Sequence, residues 1–305
     1  MIATPASDAR DHDQLTRFLI ETAGVRGVRV HLDETWRRIR ASDDYPEAAA
    51  SLLGEAAAAS ALFTGHAKVD GRLSVQLRGD GPLRTLFAEC TAAGTLRGIA
   101  RLDPDAGQVT RDLRALGDDA MLAITIENAA LGTREPMRYQ GLVALESDSL
   151  SGAFEGYFRQ SEQLPTRLLL ACDADRAAGL MLQKLPGDAG DDDGWTRACA
   201  LFDTLNEQEL LDWSGDDLLH RLFHEDGVQL LGRRPLSFAC SCSLERVESV
   251  LVSLGREEAM GAALDTGFAG IRCEFCGQQY EVPAERIDAL LTASAHQAPA
   301  PETLQ

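Results

Sequence analysis

Four cysteines in the C-terminal part of the chain stand in two close pairs, Cys240-Ser-Cys242 and Cys273-Glu-Phe-Cys276, with residues 243–272 between them. Two thiol pairs joined by a stretch long enough to fold back can bring four sulfurs onto one tetrahedral ion. An all-sulfur tetrahedral set is the donor set of structural Zn²⁺. Gly277 follows the second pair directly and permits the tight turn that aims backbone amides at the sulfurs. The Cys-x-Cys pair is tighter than the usual Cys-x₂-Cys knuckle, and Ser241 and Ser243 beside it are candidate donors to the sulfurs. The expected metal ligands are Cys240, Cys242, Cys273 and Cys276, holding one zinc per chain in the reduced form.

Spacing leaves two roles open for such a site. A structural zinc would fold a module too small to hold a core of its own. A redox switch would use the same chemistry differently, because zinc-bound thiolates are deprotonated and stay nucleophilic towards peroxide or hypochlorous acid. Oxidation would then join thiolates in disulfides, release the metal and remove its share of the folding energy.

The remaining cysteines, Cys90, Cys172 and Cys199, are scattered through apolar or helical contexts and read as inert buried thiols. His220 and His224 are one helical turn apart, but no His-Glu-x-x-His pattern accompanies them, so packing or surface roles are expected. Ser161-Glu162-Gln163 has no Gly-x-Ser-x-Gly elbow and no neighbouring histidine, which argues against a hydrolase. Glu162 and Arg167 are expected to brace the helix-to-strand corner there, and Phe158 and Leu164 to pack in the core. No Gly-Lys dipeptide occurs, which excludes a Walker A loop and ATP binding of that kind.

The chain has 305 residues with a formal net charge of -19, so broad phosphate contact with nucleic acid is unfavourable. The first residues lack the basic start and apolar core of a secretion signal. The longest apolar stretch, residues 48–63, is broken by Gly54 and Glu55 and reads as too short for a bilayer. These features lead to the expectation of a cytoplasmic protein without membrane or nucleic-acid partners.

The elements that must carry the cysteines are legible in outline. Residues 13–21 read as a short amphipathic helix and 24–32 as a strand. An alanine- and leucine-rich helix follows Tyr45-Pro46 and ends near Gly65. Strands are expected at 72–77, 87–90, 96–101, 121–127 and 137–143, with a turn at Gly79-Asp-Gly-Pro82. Residues 111–116 are ambiguous, 149–162 read as helix, and 165–171 lead into a strand. The acidic Gly187–Gly194 loop marks a boundary, after which 195–206, 207–213 and 216–224 read as helices capped by Asp, Asn or Ser. Many strands, few helices and no regular alternation make the fold class α+β.

Several stretches together resemble the heat shock protein 33 family, the redox-regulated holdase chaperones of bacteria. Gly156-Tyr-Phe-Arg-Gln-Ser-Glu-Gln-Leu-Pro-Thr166 carries the resemblance most specifically. Collinear with it are Leu52-Leu-Gly-Glu55, Gly79-Asp-Gly-Pro-Leu83, Tyr139-Gln-Gly141, Ala177-Ala-Gly-Leu-Met-Leu-Gln183, His220-Arg-Leu-Phe-His-Glu225 and Phe238-Ala-Cys-Ser-Cys-Ser243. The resemblance runs over residues 13–291 and includes all four paired cysteines.

It implies an N-terminal α+β chaperone core over residues 1–186, a helical linker over 187–235 and a zinc-binding redox-switch domain over 236–291, with 292–305 a disordered tail. It also implies a non-enzymatic, ATP-independent holdase for unfolding client proteins that forms a homodimer when activated. Oxidation would pair Cys240 with Cys242 and Cys273 with Cys276, release zinc, unfold the C-terminal module and withdraw support from the linker. A thiol-disulfide oxidoreductase would need a thioredoxin-like βαβ scaffold, which the pattern lacks. A zinc-ribbon nucleic-acid binder would need basic surface, whereas acidic residues outnumber basic ones over 236–291.

Overall fold

A computed structural model of the chain describes residues 12–297 other than 106, 118, 129–136 and 188. The first of its two units, Met1–Ala239, holds β1 (Gln14–Ile20), β2 (Val25–Leu32), α1 (Glu34–Arg40), α2 (Glu47–His66), β3 (Arg72–Arg78), β4 (Leu83–Thr91), β5 (Thr95–Leu102), β6 (Met121–Asn128) and β7 (Met137–Val143). It continues with α3 (Leu150–Tyr157), β8 (Thr166–Cys172), β9 (Ala177–Lys184), α4 (Gly194–Phe202), α5 (Glu207–Asp212), α6 (Gly215–Phe223), β10 (Val228–Pro235) and β11 (Ser237–Phe238). The second unit, Cys240–Gln305, holds α7 (Leu244–Leu254), α8 (Arg256–Gly261), β12 (Phe268–Arg272), β13 (Gln279–Pro283) and α9 (Ala284–Gln297). The α+β class read from the sequence is the class observed.

Alanine explains the centre of the first unit. The side chains of α2 are buried on nearly every face, and small side chains let two sheets approach one helix. One sheet runs β10-β1-β2-β9-β8 and the other β11-β5-β4-β3-β6-β7. The helix packs on β2, β8 and β9 of the first and on β3, β4 and β5 of the second. At Gly54 even a Cβ would lie 2.2 Å from Cys172 Sγ, so glycine there is a packing requirement. By length and composition α2 is apolar enough to cross a membrane, longer than residues 48–63 suggest, but its burial marks it as a core helix.

The outer face of the β10-β1-β2-β9-β8 sheet is covered by α4, α5 and α6. Their Phe202, Leu210, Leu218, Leu222 and Phe223 meet Phe18, Val25, Leu180 and Leu182 of the sheet in one buried cluster. With both faces covered, β2 and β9 are buried at almost every position, which is why their sequences run apolar without strict alternation. The second unit has a smaller core, made of Val247, Leu251, Ala259, Ala263, Ala269, Val282, Ile287 and Leu291.

Four expectations about elements and their boundaries differ from the structure. Residues 13–21 form strand β1, not a helix, because pairing with β2 on one side and β10 on the other outweighs local periodicity. The linker 187–235 is helical only through Phe223; Gly227, at φ +70°, turns the chain into β10, which joins the sheet. The compact division falls after Ala239 and not at 235/236, since Phe238 of β11 pairs in parallel with Leu96 of β5. Finally, helix α9 continues through Gln297 where a disordered tail was expected from 292; residues 298–305 lie outside the described residues.

Candidate metal centre

The first cysteine pair lies in an extended segment that ends where α7 begins. Ser243 caps that helix, its Oγ accepting from the Arg246 amide at 3.3 Å, which fixes the direction in which Cys242 enters the site. Ser243 therefore holds the helix end. Arg246 also reaches back, Nη1 donating to the Ser241 carbonyl at 2.6 Å.

The second pair occupies the turn of the β12–β13 hairpin. The Gly277 amide donates to the Cys273 carbonyl and the Cys273 amide to the Gln278 carbonyl, both at 2.8 Å. Gly277 sits at φ +72°, a left-handed conformation that glycine adopts without penalty, so the turn expected there is present. The hairpin register, Arg272 opposite Gln279, fixes the height of the turn above the sheet.

These two segments bring all four sulfurs within 4.8 Å of one another. Cys240 Sγ lies 3.6 Å from Cys273 Sγ, and Cys242 Sγ lies 3.4 Å from Cys276 Sγ. Four sulfurs each about 2.3 Å from a tetrahedral ion would stand roughly 3.8 Å apart. The observed spacing therefore fits a metal ion bound by Cys240, Cys242, Cys273 and Cys276.

Polar groups around the sulfurs are arranged for negative charge. Tyr280 Oη, on β13, donates to Cys242 Sγ at 3.1 Å. The Cys242 amide supports Cys240, and the Gln278 amide supports Cys276. Burial opposes ionisation of Cys242, but donation from the Tyr280 hydroxyl and the neighbouring thiols outweighs it and brings the thiol to about 7. Burial and the adjacent Cys242 sulfur push Cys276 up to about 12, and burial raises Cys240. Ionisation is thus favoured at Cys242 and opposed at Cys240 and Cys276, and a cation among the sulfurs would relieve that opposition.

Tyr280 is the functional neighbour that spacing rules miss. Its only sequence signal is its place on β13, four residues beyond Cys276. The other cysteines lie elsewhere. Burial pushes Cys90 and Cys199 up to about 11 and raises Cys172 further, so all three remain thiols at neutral pH. His220 on α6 and His224, the residue after its end, are exposed with ring centroids 5.1 Å apart, and His224 Nδ1 is 3.0 Å from the His220 carbonyl. Phe158 is core, packed edge-on against Phe63. The corner expected of Glu162 and Arg167 is built instead by Glu155, which pairs with Arg167 and accepts from the Leu168 amide at 2.8 Å.

Comparison with known proteins decides the family. The Hsp33 protein family model matches residues 13–283. This chain belongs to the Hsp33 family. Among its relatives are the 33 kDa chaperonin of Ectopseudomonas mendocina, 41% identical over 294 residues, covering 94% of this chain and 98% of that protein. That of Nitrosococcus oceani is 40% identical over 282 residues, covering 92% and 95%. The crystal structure of the 33 kDa chaperonin (heat shock protein 33 homolog) from Thermotoga maritima covers 94% of this chain and all of its own, with a TM-score of 0.73 at 19% identity; it shows the shared fold. Membership of Hsp33 supports a chaperone function, and the four-cysteine group is where this Hsp33 chain is able to bind a metal ion.

Proposed function

We propose that this chain is a redox-regulated, ATP-independent holdase that binds unfolding proteins under oxidative stress. The observation that carries the reading is the four-sulfur cluster closing a unit whose own core is small, in a chain of a chaperone family. Cys240, Cys242, Cys273 and Cys276 would hold zinc in the reduced form. Zinc would keep the four sulfurs deprotonated and fasten the two segments that carry them.

The oxidative step belongs to the cysteines. Two sulfurs give up one electron each and form an S–S bond; the peroxide O–O bond breaks and, with two protons, leaves two waters. Two such steps consume four thiolates and two peroxides. The pairing is proposed as Cys240–Cys242 and Cys273–Cys276. The shortest sulfur contacts cross these pairs, but all four sulfurs lie within 4.8 Å of one another, and partners close in sequence keep the higher effective concentration as the segments move. Loss of the thiolates removes the metal's contribution to folding, and the C-terminal unit unfolds. The active form binds clients as a homodimer in the cytoplasm, without ATP or nucleic acid.

The test follows zinc release and the aggregation of a thermally unfolding client, before and after peroxide at elevated temperature. Oxidised protein should release zinc and suppress aggregation, and peptide mapping should find the two sequence-local disulfides. Zinc release without suppression would leave only a structural metal, and cross-paired disulfides would overturn the pairing.

A further inference from the structure

A second site lies in the first unit, apart from the cysteines. A cavity of about 280 Å³ opens where the C-terminal end of α2 meets β6 and the segment following α3. That segment, Phe158–Glu162, is a single π-helical turn, and the next residue, Gln163, is left-handed at φ +55°. A π turn and a strained non-glycine residue in sequence are costly features that cluster at ligand sites. Their effect here is to turn Phe158 inward, edge-on to Phe63 with ring centroids 5.3 Å apart, while Glu162 stays at the solvent-facing mouth.

The lining combines apolar side chains, charged groups and the paired hydroxyls of Tyr139 and Tyr157, 3.2 Å apart. Phe63, Ile124 and Phe158 form an apolar wall, and Arg26, Lys68 and Glu162 bring charge of both signs. Arg26 is held in place by Gln183 Oε1, 3.1 Å from its Nε, and by His66 Nε2, 3.1 Å from its Nη2. Neither contact uses Nη1. Burial and the nearby guanidinium hold His66 down at about 4, so it is neutral at pH 7 and serves Arg26 as an acceptor. Burial lowers the Arg26 guanidinium, and the Glu162 carboxylate on the same lining partly offsets it.

The ligand class follows from this lining. The volume lies at the lower edge of small-molecule pockets, which run from about 300 Å³ upward, and so excludes nucleotides and larger cofactors. A simple anion would meet Glu162, and a simple cation would meet Arg26 and Lys68. A molecule with both charges and an apolar body matches the charged groups and the apolar wall together. We propose that the cavity binds a zwitterionic apolar α-amino acid, its carboxylate at Arg26 and Lys68, its ammonium at Glu162 and its side chain among Phe63, Ile124 and Phe158. The site is independent of the cysteine cluster and of the redox reading.

Calorimetric titration of the full-length, zinc-loaded, reduced chain tests this. The probes are L-phenylalanine and L-leucine, with 3-phenylpropionate, 2-phenylethylamine and L-glutamate as partial mimics. N-acetyl-phenylalanine and phenylalaninamide represent the two ends of a peptide. L-phenylalanine or L-leucine should saturate the site, and every other probe should bind at least about tenfold more weakly, a difference of about 1.4 kcal/mol. Glu162→Gln, at an exposed position, should weaken amino-acid binding about tenfold while leaving 3-phenylpropionate unchanged or tighter, with an unaltered melting temperature. No saturable binding of either amino acid up to about 10 mM would overturn the proposal. So would equal binding of a one-charge mimic, equal binding of a peptide-end mimic (capture of a chain terminus instead), or indifference to Glu162→Gln.

Discussion

At the scale of single residues, the site depends on atoms that donate to sulfur. Tyr280 is the clearest case, because its hydroxyl reaches Cys242 Sγ from the strand that follows the second pair. Groups that support metal ligands typically account for about 10- to 100-fold in affinity. Tyr280→Phe keeps the ring and removes the donor, so zinc affinity in chelator competition should fall by about tenfold with little change in the fold. An unchanged affinity would mean that the hydroxyl does not support the bound sulfur. The four-sulfur cluster itself was legible because closely paired cysteines near one end of a chain have few uses besides metal or redox chemistry. Tyr280 was not, since a lone tyrosine on a strand obeys no spacing rule and its role exists only once β12 and β13 pair.

At the scale of elements, α2 and the short helices make opposite demands. Glu55 is buried in the middle of α2 and paired with Arg111, and burial raises its carboxyl to about 7. An acid with a raised folded pKa binds its proton more tightly in the native state, so stability is lost as pH rises from its unfolded value, near 4.5, to about 7. Melting temperature should fall across that window in the wild type, by the equivalent of up to about 3 kcal/mol. Glu55→Gln should flatten the fall, and parallel pH profiles would refute the assignment. Helix α5 is too short to stand alone. Its first turn is closed by a capping box between Asn206 and Glu209. Its last carbonyls are taken by arginines from the sheet side, Arg176 to Leu211 O at 3.0 Å and Arg29 to Trp213 O at 2.7 Å. Arg176→Gln should raise amide exchange across α4–α6 several-fold while the strands of the other sheet keep their protection; uniform loss would place Arg176 in the global fold instead. The capped ends of α5 and α6 could be read from Asn206 and Ser214. Strands β1 and β10 could not, because each is defined by the other across more than two hundred residues of chain.

At the scale of the whole molecule, the two units differ in what holds them together. The first has a helix enclosed by two sheets and a further helical layer, a core that stands on apolar burial. The second buries a short set of mostly small side chains around α7, the β12–β13 hairpin and α9. Domains of that size usually need a metal or a cross-link in addition to their core. The sequence indicated this contrast through composition, apolar in the first part and cysteine-punctuated in the second, but not the hairpin and three helices that convert four sulfurs into one cluster. If zinc supplies the missing energy, its removal should act on one unit alone. Chelation of the reduced protein should therefore abolish amide protection across residues 244–297, with Ala269 and Val282 of the hairpin losing theirs together. Over residues 14–184 protection should stay within about twofold of its starting value. Structural zinc contributes on the order of 10 kcal/mol in small modules, far above what the small core of this unit supplies, so partial loosening is not the expected result. Retained protection in the hairpin after verified metal loss would show that the unit folds without its ion, and the proposed coupling of oxidation to unfolding would lose its physical basis.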